Sequence, residues 1–130
     1  MIIDSNLLDD LTAQAKSSPR LRTNLDLRNS QDDTSQRMLN AIEPGSVVPV
    51  HRHKDTSETV VVLRGSVVEE YYDDQGNVIE SITLAPMVCA LNIPAGQWHS
   101  LKSMESGTVI LEIKDGAYAP IQEDDILKLR

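Results

Sequence analysis

The sequence predicts an all-β protein, a β-sandwich or a closed barrel, preceded by one helix. From residue 20 onward, short apolar stretches alternate with polar turns at close spacing, which is typical of antiparallel sheets. The chain has no Phe and a single Trp, so its core has to be built mainly from Val, Ile and Leu. Such aliphatic, largely β-branched side chains favour a pleated, half-buried surface.

The first element is a helix predicted at about residues 4–17. Asp4 or Ser5 can cap its N-terminus, and Leu7, Leu8 and Leu11 fall on one stripe at helical spacing. Pro19 follows the last residues of this pattern, so we expect the helix to end just before it.

Strands are predicted for most of the remaining chain. The segment from Asp73 to Asn77 is rich in turn-forming residues and lies between two apolar segments, which predicts a β-hairpin. The continuous apolar runs at 60–63 and 109–111 predict strands that are covered on both faces, by a second sheet or by a partner subunit. The predicted strands are residues 20–28, 36–42, 46–53, 58–63, 67–72, 78–84, 88–93, 98–103 and 108–114, and a short helix is predicted at 122–129.

Length and charge limit the possible functions. A chain of 130 residues suits one domain, which we expect to span residues 1–130. A net charge of −8 disfavours binding to nucleic acid or anionic lipid. No apolar stretch reaches the ~20 residues of a membrane span, and no secretory signal is recognisable, so we expect a cytoplasmic protein. Cys89 is the only cysteine, and we expect it to be buried as a small apolar side chain.

The three histidines and one glutamate indicate a metal site. His51 and His53 are two residues apart, so on a strand both imidazoles would point to one face. Glu58 follows a short turn, and His99 begins another predicted strand. Neutral imidazoles with a carboxylate are ligands for one divalent transition metal such as Zn, Mn, Fe or Ni. A His-x-His pair is often an ordinary surface feature, so the joint pattern carries the prediction.

That joint pattern resembles the two motifs of the cupin family. The first motif, at residues 45–65, reads Gly45-SVVPV-His51-Arg-His53-KDTS-Glu58-TVVVLR-Gly65. The second, at residues 88–103, reads Val88-CALNI-Pro94-Ala-Gly96-Gln-Trp-His99-SLK-Ser103, where Val88 replaces the usual Gly and Ser103 the usual Asn. The resemblance implies a double-stranded β-helix, or jelly-roll barrel, in which His51, His53, Glu58 and His99 hold the metal.

The likeness extends to one group of cupins, the WbuC-type metalloproteins. Members of that group often occur with genes for bacterial O-antigen or other surface polysaccharide synthesis, which implies that pathway neighbourhood but no reaction. The residues that carry the likeness are Arg20-Leu-Arg22, Asn24, Asp26-Leu-Arg28, Ser35-Gln-Arg37-Met-Leu-Asn40 and Lys114-Asp-Gly116.

Four arginines cluster in the N-terminal part of this acidic chain: Arg20, Arg22, Arg28 and Arg37. They could hold an anionic sugar derivative, or they could pair with nearby aspartates or with a second subunit. Arg22 and Arg28 share strand parity, so we take them as the candidate ligand-binding residues. Lys114 is expected to be an edge charge that blocks strand pairing.

Three functions fit this sequence. The first is a metal-dependent enzyme acting on a sugar or sugar nucleotide, by isomerisation or a related step. The second is a ferrous dioxygenase, since the same ligand set serves iron. The third is a non-catalytic module that binds a small ligand through its metal. A homodimer is expected, because apolar strand faces need cover and symmetric dimers are the commonest oligomers.

Overall fold

A computed structural model describes residues 1–129 and contains one helix and eight strands within them. The helix α1 spans Ser5–Ser17, and Asp4 caps it by accepting a hydrogen bond from the Leu7 N–H at 3.1 Å. The strands are β1 Arg22–Asp26, β2 Ser35–Ile42, β3 Glu58–Arg64, β4 Val67–Tyr72, β5 Val78–Leu84, β6 Ala90–Ile93, β7 Trp98–Ser103 and β8 Val109–Asp115. A single 3-10 turn, Glu123–Asp125, follows near the C-terminus.

The strands form two antiparallel sheets. One has five strands in the order β1-β2-β8-β3-β6, and the other has three in the order β5-β4-β7. Apart from β1 and β2, the neighbours in the large sheet are not consecutive in the chain, as β3 pairs with both β6 and β8. This arrangement confirms the predicted all-β jelly-roll architecture with one N-terminal helix.

At the apolar run 109–111 both faces of the large sheet are covered, since Val109 and Ile110 are both buried, but the run 60–63 ends at Leu63, which is 39% exposed. The prediction of two covered faces is therefore wrong at that end of the sheet. Its outer face packs against α1, where Leu8, Leu11 and Ala15 meet Leu39 and Val109. Its inner face packs against the small sheet. The core between the sheets consists of Ile42, Val60, Val62, Val67, Tyr71, Leu84, Ile93, Leu101 and Ile110. The helix therefore covers part of the outer face, and the polar groups described below share the space between the sheets with this core.

Two predicted elements were wrong. Residues 46–53 form no strand, because Pro49 has no N–H to donate and only His51 makes bridge pairings, to His99 and Ile126. The helix predicted at 122–129 is limited to the 3-10 turn, because residues after it bond elsewhere: the Leu127 N–H donates to the Val50 carbonyl at 2.8 Å. The C-terminal segment thus runs beside the histidine-bearing segment.

Among residues 1–129, no helix is long and apolar enough to cross a membrane.

Candidate metal centre

The structure brings together the four residues of the predicted metal site. His51, His53, Glu58 and His99 each offer one ligand atom, and these atoms all lie within 4.8 Å of one another. The imidazole ring centroids of His51 and His99 are 4.4 Å apart, and those of His53 and His99 are 5.8 Å apart. Side chains from three separate parts of the chain therefore point at one small volume.

Backbone hydrogen bonds fix where these side chains start. The His51 N–H donates to the His99 carbonyl at 3.0 Å, and the His99 N–H donates back to the His51 carbonyl at 2.9 Å. The His53 carbonyl accepts from the Gly96 N–H at 2.8 Å. Gly96 has a φ of +82°, a backbone conformation that glycine adopts without strain. The turn before β7 thus ties the two cupin-type motifs together.

Hydrogen bonds of the Nδ1 atoms to backbone carbonyls orient the imidazole rings of His51 and His99. His51 Nδ1 lies 2.8 Å from the Pro49 carbonyl oxygen, and His99 Nδ1 lies 2.9 Å from the Gln97 carbonyl oxygen. A carbonyl accepts only, so both Nδ1 atoms carry the proton, and each Nε2 has its lone pair free. Imidazole ligands of metals are commonly fixed in this way.

The charges of the site also fit a metal ion. Burial, followed by the neighbouring His99 imidazole, lowers the pKa of His51 to about 4, so His51 is neutral at pH 7, as a metal ligand must be. A carboxylate together with imidazole nitrogens is a ligand set that suits a divalent cation.

Glu58 has one oxygen that the protein leaves without a hydrogen bond. Its Oε2 is buried, lies 3.2 Å from His53 Nε2 and 3.3 Å from His99 Nε2, and accepts no hydrogen bond from residues 1–129. A buried anionic oxygen without a partner is costly. A cation bound between these atoms would supply the missing partner, so the residues present fit a metal ion.

A cavity of about 100 Å³ adjoins this cluster between the two sheets. Its wall contains His51, Glu58 and His99, and also two carboxyl groups that the sequence analysis did not single out, Glu69 and Glu112. Burial, with the Glu58 charge as the next cause, raises the pKa of Glu112 well above its ordinary value. The polar end of the interior is therefore rich in carboxyl groups.

Glu69 was missed because its strand repeats every residue type. In Val67-Val-Glu-Glu-Tyr-Tyr72 each residue has an identical neighbour, so alternation cannot tell which glutamate faces inward. The structure shows that Glu69 is 0% exposed and shares the inward face with Val67 and Tyr71.

A second, wider cavity of about 380 Å³ lies on the His53 side of the cluster. Lys114, Gln36 and the C-terminal segment around Pro120 line it together with His53. The expectation that Lys114 is an edge charge was wrong, because β8 is the central strand of its sheet and Lys114 pairs in register with both Gln36 and Glu58. The strand order, which brings β8 between β2 and β3, places this ammonium group beside the cluster.

The candidate ligand-binding arginines lie in different places. Arg22 lines the 100 Å³ cavity, and its Nη1 donates to the Val47 carbonyl at 2.7 Å and to Ser46 Oγ at 3.2 Å. Arg28 lies two residues beyond β1 and lines a separate cavity of about 330 Å³. There it pairs with Asp26 at 2.7 Å and lies over the Tyr118 ring at 5.6 Å. Only Arg22 shares a cavity with the histidine cluster.

The other two arginines of the N-terminal group have different surroundings. Arg37 lines the same cavity as Arg28 and lies 3.4 Å from Asp33, whereas Arg20 lines a surface pocket with Arg22. The expected pairing with nearby aspartates therefore accounts for Arg28 and Arg37.

Cys89 is exposed, so the expectation that it is buried was wrong. It lies just before β6, directly after Val88, which closes a tight turn with Ala85 and is itself exposed. The apolar residues Val88 and Cys89 therefore lie at the surface.

Several solved structures have the same fold as this chain. KdgF from a Halomonas species matches with a TM-score of 0.63 and 16% identity, over 78% of this chain and 84% of that one. Oxalate oxidase in complex with the substrate analogue glycolate matches with a TM-score of 0.65 and 16% identity, over 82% and 56%. Oxalate decarboxylase from Bacillus subtilis matches with a TM-score of 0.59 and 19% identity, over 83% and 27%.

At such identities these matches show the fold alone, and the chain spans only about half of oxalate oxidase and a quarter of oxalate decarboxylase. Mn(II) centres are described for the Bacillus subtilis oxalate decarboxylase. No curated protein matches the sequence. The chain thus has the fold of these structures, and its histidine–glutamate cluster could bind a metal. A family model matches residues 3–84, more than half of the chain, and the chain therefore belongs to the family described as Domain of unknown function (DUF6016).

Proposed function

We propose that this protein is a metal-dependent enzyme that acts on a small oxygen-rich ligand, a sugar or a sugar nucleotide, by isomerisation or a related proton-transfer step. One observation carries the proposal: the four ligand atoms of His51, His53, Glu58 and His99 converge beside a polar cavity. Four protein ligands would leave positions open for a ligand on an ion that takes six.

When bound, the metal would act as a Lewis acid that polarises a carbonyl or hydroxyl oxygen of the ligand. The protein supplies the rest of the chemistry. Glu58 balances part of the cation's charge, and the fixed Nδ1–H tautomers of His51 and His99 keep their Nε2 atoms directed at it. Lys114, beside the cluster at the wider cavity, can attract an anionic part of the ligand.

The ligand class rests partly on the likeness to WbuC-type cupins in residues such as Arg22, Asn24 and Asn40. That likeness is the reason for proposing a role in bacterial surface polysaccharide synthesis. Arg22 and Asn40 both line the cavity beside the histidine cluster, so two of the residues that carry the likeness lie at the proposed site. Arg28, with Tyr118, would contact a more distant part of a large ligand.

Metal analysis combined with a ligand screen tests the proposal. Protein purified from unsupplemented cells should hold about one transition metal ion per chain, and the His51→Ala variant should hold none. Sugar nucleotides should shift the melting temperature of the metal-loaded protein and be converted without consumption of O₂. A protein without metal would contradict the proposal. Iron together with ligand-dependent O₂ consumption would replace it with the dioxygenase, and binding without product under any metal would replace it with a binding module.

A further inference from the structure

Glu69 is a carboxyl group that the protein encloses but does not bond. Its side chain is 0% exposed, and neither Oε1 nor Oε2 has a hydrogen-bond partner among residues 1–129. Glutamate is almost never fully buried unless it is paired, and each buried polar group without a partner calls for an explanation. Glu69 therefore needs a partner that residues 1–129 do not supply.

The position of Glu69 indicates where that partner lies. Glu69 stands on β4 opposite Leu101 of β7, two residues along β7 from His99, whose own register partner on β4 is Tyr71. The same cavity of about 100 Å³ is lined by Glu69, by Asn40 and by the metal-ligand candidates His51, Glu58 and His99. A molecule that reaches the metal from this cavity would meet the Glu69 carboxyl.

The protonation state of the Glu69 carboxyl suits a hydrogen-bond donor. In the protein without metal, burial, with the Glu58 charge as a smaller cause, raises the pKa of Glu69 to about 9, so the group carries its proton at pH 7 there. A protonated carboxyl offers one O–H to donate and one carbonyl oxygen to accept. Ligand oxygens that gain negative charge during proton transfer are stabilised by donors held in place in this way.

We infer that Glu69 contacts the ligand held at the metal and donates a hydrogen bond to one of its oxygens. This inference rests on the proposed function and adds a residue to the site that neither cupin-type motif contains. The cavity volume is about that of three water molecules, at roughly 30 Å³ each. The contact is therefore with the reacting end of the ligand, a hydroxyl or carbonyl and its neighbouring carbons, and not with a whole sugar nucleotide.

Two variants separate a contact from a space-filling role. Glu69→Gln keeps the shape and an N–H donor, whereas Glu69→Met keeps similar volume and removes both polar atoms. The probe is hydroxyacetone, a small α-hydroxyketone that can reach a metal through its two oxygens. The protein is loaded with Zn²⁺, which has no redox chemistry, so the probe is not oxidised during the measurement. Isothermal titration calorimetry gives the affinity of each protein for Zn²⁺ and for hydroxyacetone.

We expect all three proteins to bind one Zn²⁺ with affinities within about threefold of each other. Hydroxyacetone should bind about tenfold more weakly to Glu69→Met than to the wild type, as for the loss of one buried hydrogen bond. The affinity of Glu69→Gln for hydroxyacetone should stay within about threefold of the wild type. A purely structural role of Glu69 would not predict this difference between the two variants.

Failure of the inference and failure of the proposed function look different. A wild type that binds hydroxyacetone only when loaded with Zn²⁺, together with a Glu69→Met variant of equal affinity, would overturn the inference and leave the metal site standing. A Zn²⁺-loaded wild type that does not bind the probe would also overturn it. A wild type that binds no Zn²⁺ would overturn the proposed function. Should Glu69→Met misfold, Glu69→Leu provides the same comparison.

Discussion

Glu58 and His99 lie on different sheets, yet Glu58 Oε2 is only 3.3 Å from His99 Nε2. Glu58 begins β3 of the five-stranded sheet, and His99 is the second residue of β7 in the three-stranded sheet. His51, which bridges to His99 outside the named strands, adds a third part of the chain to the same point. A metal ion at this point would therefore join the two sheets and the segment between them.

Metal binding should consequently stabilise the fold. Because the ligands are brought together only in the folded state, excess metal adds a free energy that grows with its concentration, about 2.7 kcal/mol at 100 times the dissociation constant. We expect the melting temperature to rise with added Zn²⁺ and to fall after chelation, and His51→Ala should weaken Zn²⁺ binding by at least about 100-fold. Lys54→Ala, at a half-exposed neighbour, is the matched control and should bind Zn²⁺ like the wild type. Full metal occupancy in His51→Ala would contradict the assignment of His51 as a ligand.

The glycine that closes the first motif is required by close packing. A Cβ on Gly65 would lie 2.2 Å from Thr108 Oγ1 and 2.7 Å from Thr108 Cα, and its φ is +84°. Overlap with a neighbouring backbone atom adds to the cost of a left-handed conformation, so Gly65→Ala should lower the free energy of unfolding by roughly 3 kcal/mol or more. Urea denaturation measures this.

Gly96 offers the control for that variant. Its φ of +82° is almost the same, but a Cβ there would meet nothing within 4 Å. Gly96→Ala should therefore lower the free energy of unfolding only by the cost of a left-handed backbone conformation, about 1 kcal/mol. Equal losses in the two variants would show that contact with Thr108 contributes nothing at Gly65.

The buried Glu69 predicts a dependence of stability on pH. Its folded-state pKa of about 9 lies above the reference value of about 4.3 that applies to an unfolded chain. Between these values the folded protein holds one proton more than the unfolded one, so the free energy of unfolding falls as pH rises, by up to about 1.4 kcal/mol per pH unit for this group.

Urea denaturation of metal-free wild type and Glu69→Gln between pH 5 and pH 9 isolates that group. Because every other titrating residue is common to both proteins, the difference between their unfolding free energies should change steadily in favour of Glu69→Gln as pH rises. A difference that is constant over this range would mean that Glu69 is ionised in the folded protein.

Local patterns in the sequence predicted most of the fold and of the metal cluster. Strand alternation and turn residues depend on neighbours in the chain. The four residues of the cluster were predicted from their joint spacing and its likeness to the two cupin motifs, not from strand parity, since residues 46–53 form no strand. The position of Lys114 depends instead on sheet order, which brings β8 between strands that are distant in sequence. The inward orientation of Glu69 could not be predicted, because its strand repeats each residue type.

The C-terminal segment covers the wider cavity, and its attachment can be tested at Asp125. The Arg52 Nε donates to Asp125 Oδ1 at 3.0 Å, and the Arg52 backbone N–H donates to the Asp125 carbonyl at 3.1 Å. The Arg52 guanidinium also lies 4.3 Å from the centre of the Trp98 ring.

Asp125→Asn removes the charge that holds Arg52 and Lys54. Amide hydrogen exchange at Leu127, whose N–H donates to the Val50 carbonyl, should therefore become several-fold faster. Fluorescence of Trp98, the single tryptophan of the chain, should change with it. Glu123→Gln is the matched control. Within residues 1–129 the ion pair of Glu123 is with Lys128, both side chains are at least 80% exposed, and such pairs contribute little to stability. Exchange at Leu127 that responds equally to both variants would show that the segment is held by its backbone contacts and not by the Arg52–Asp125 pair.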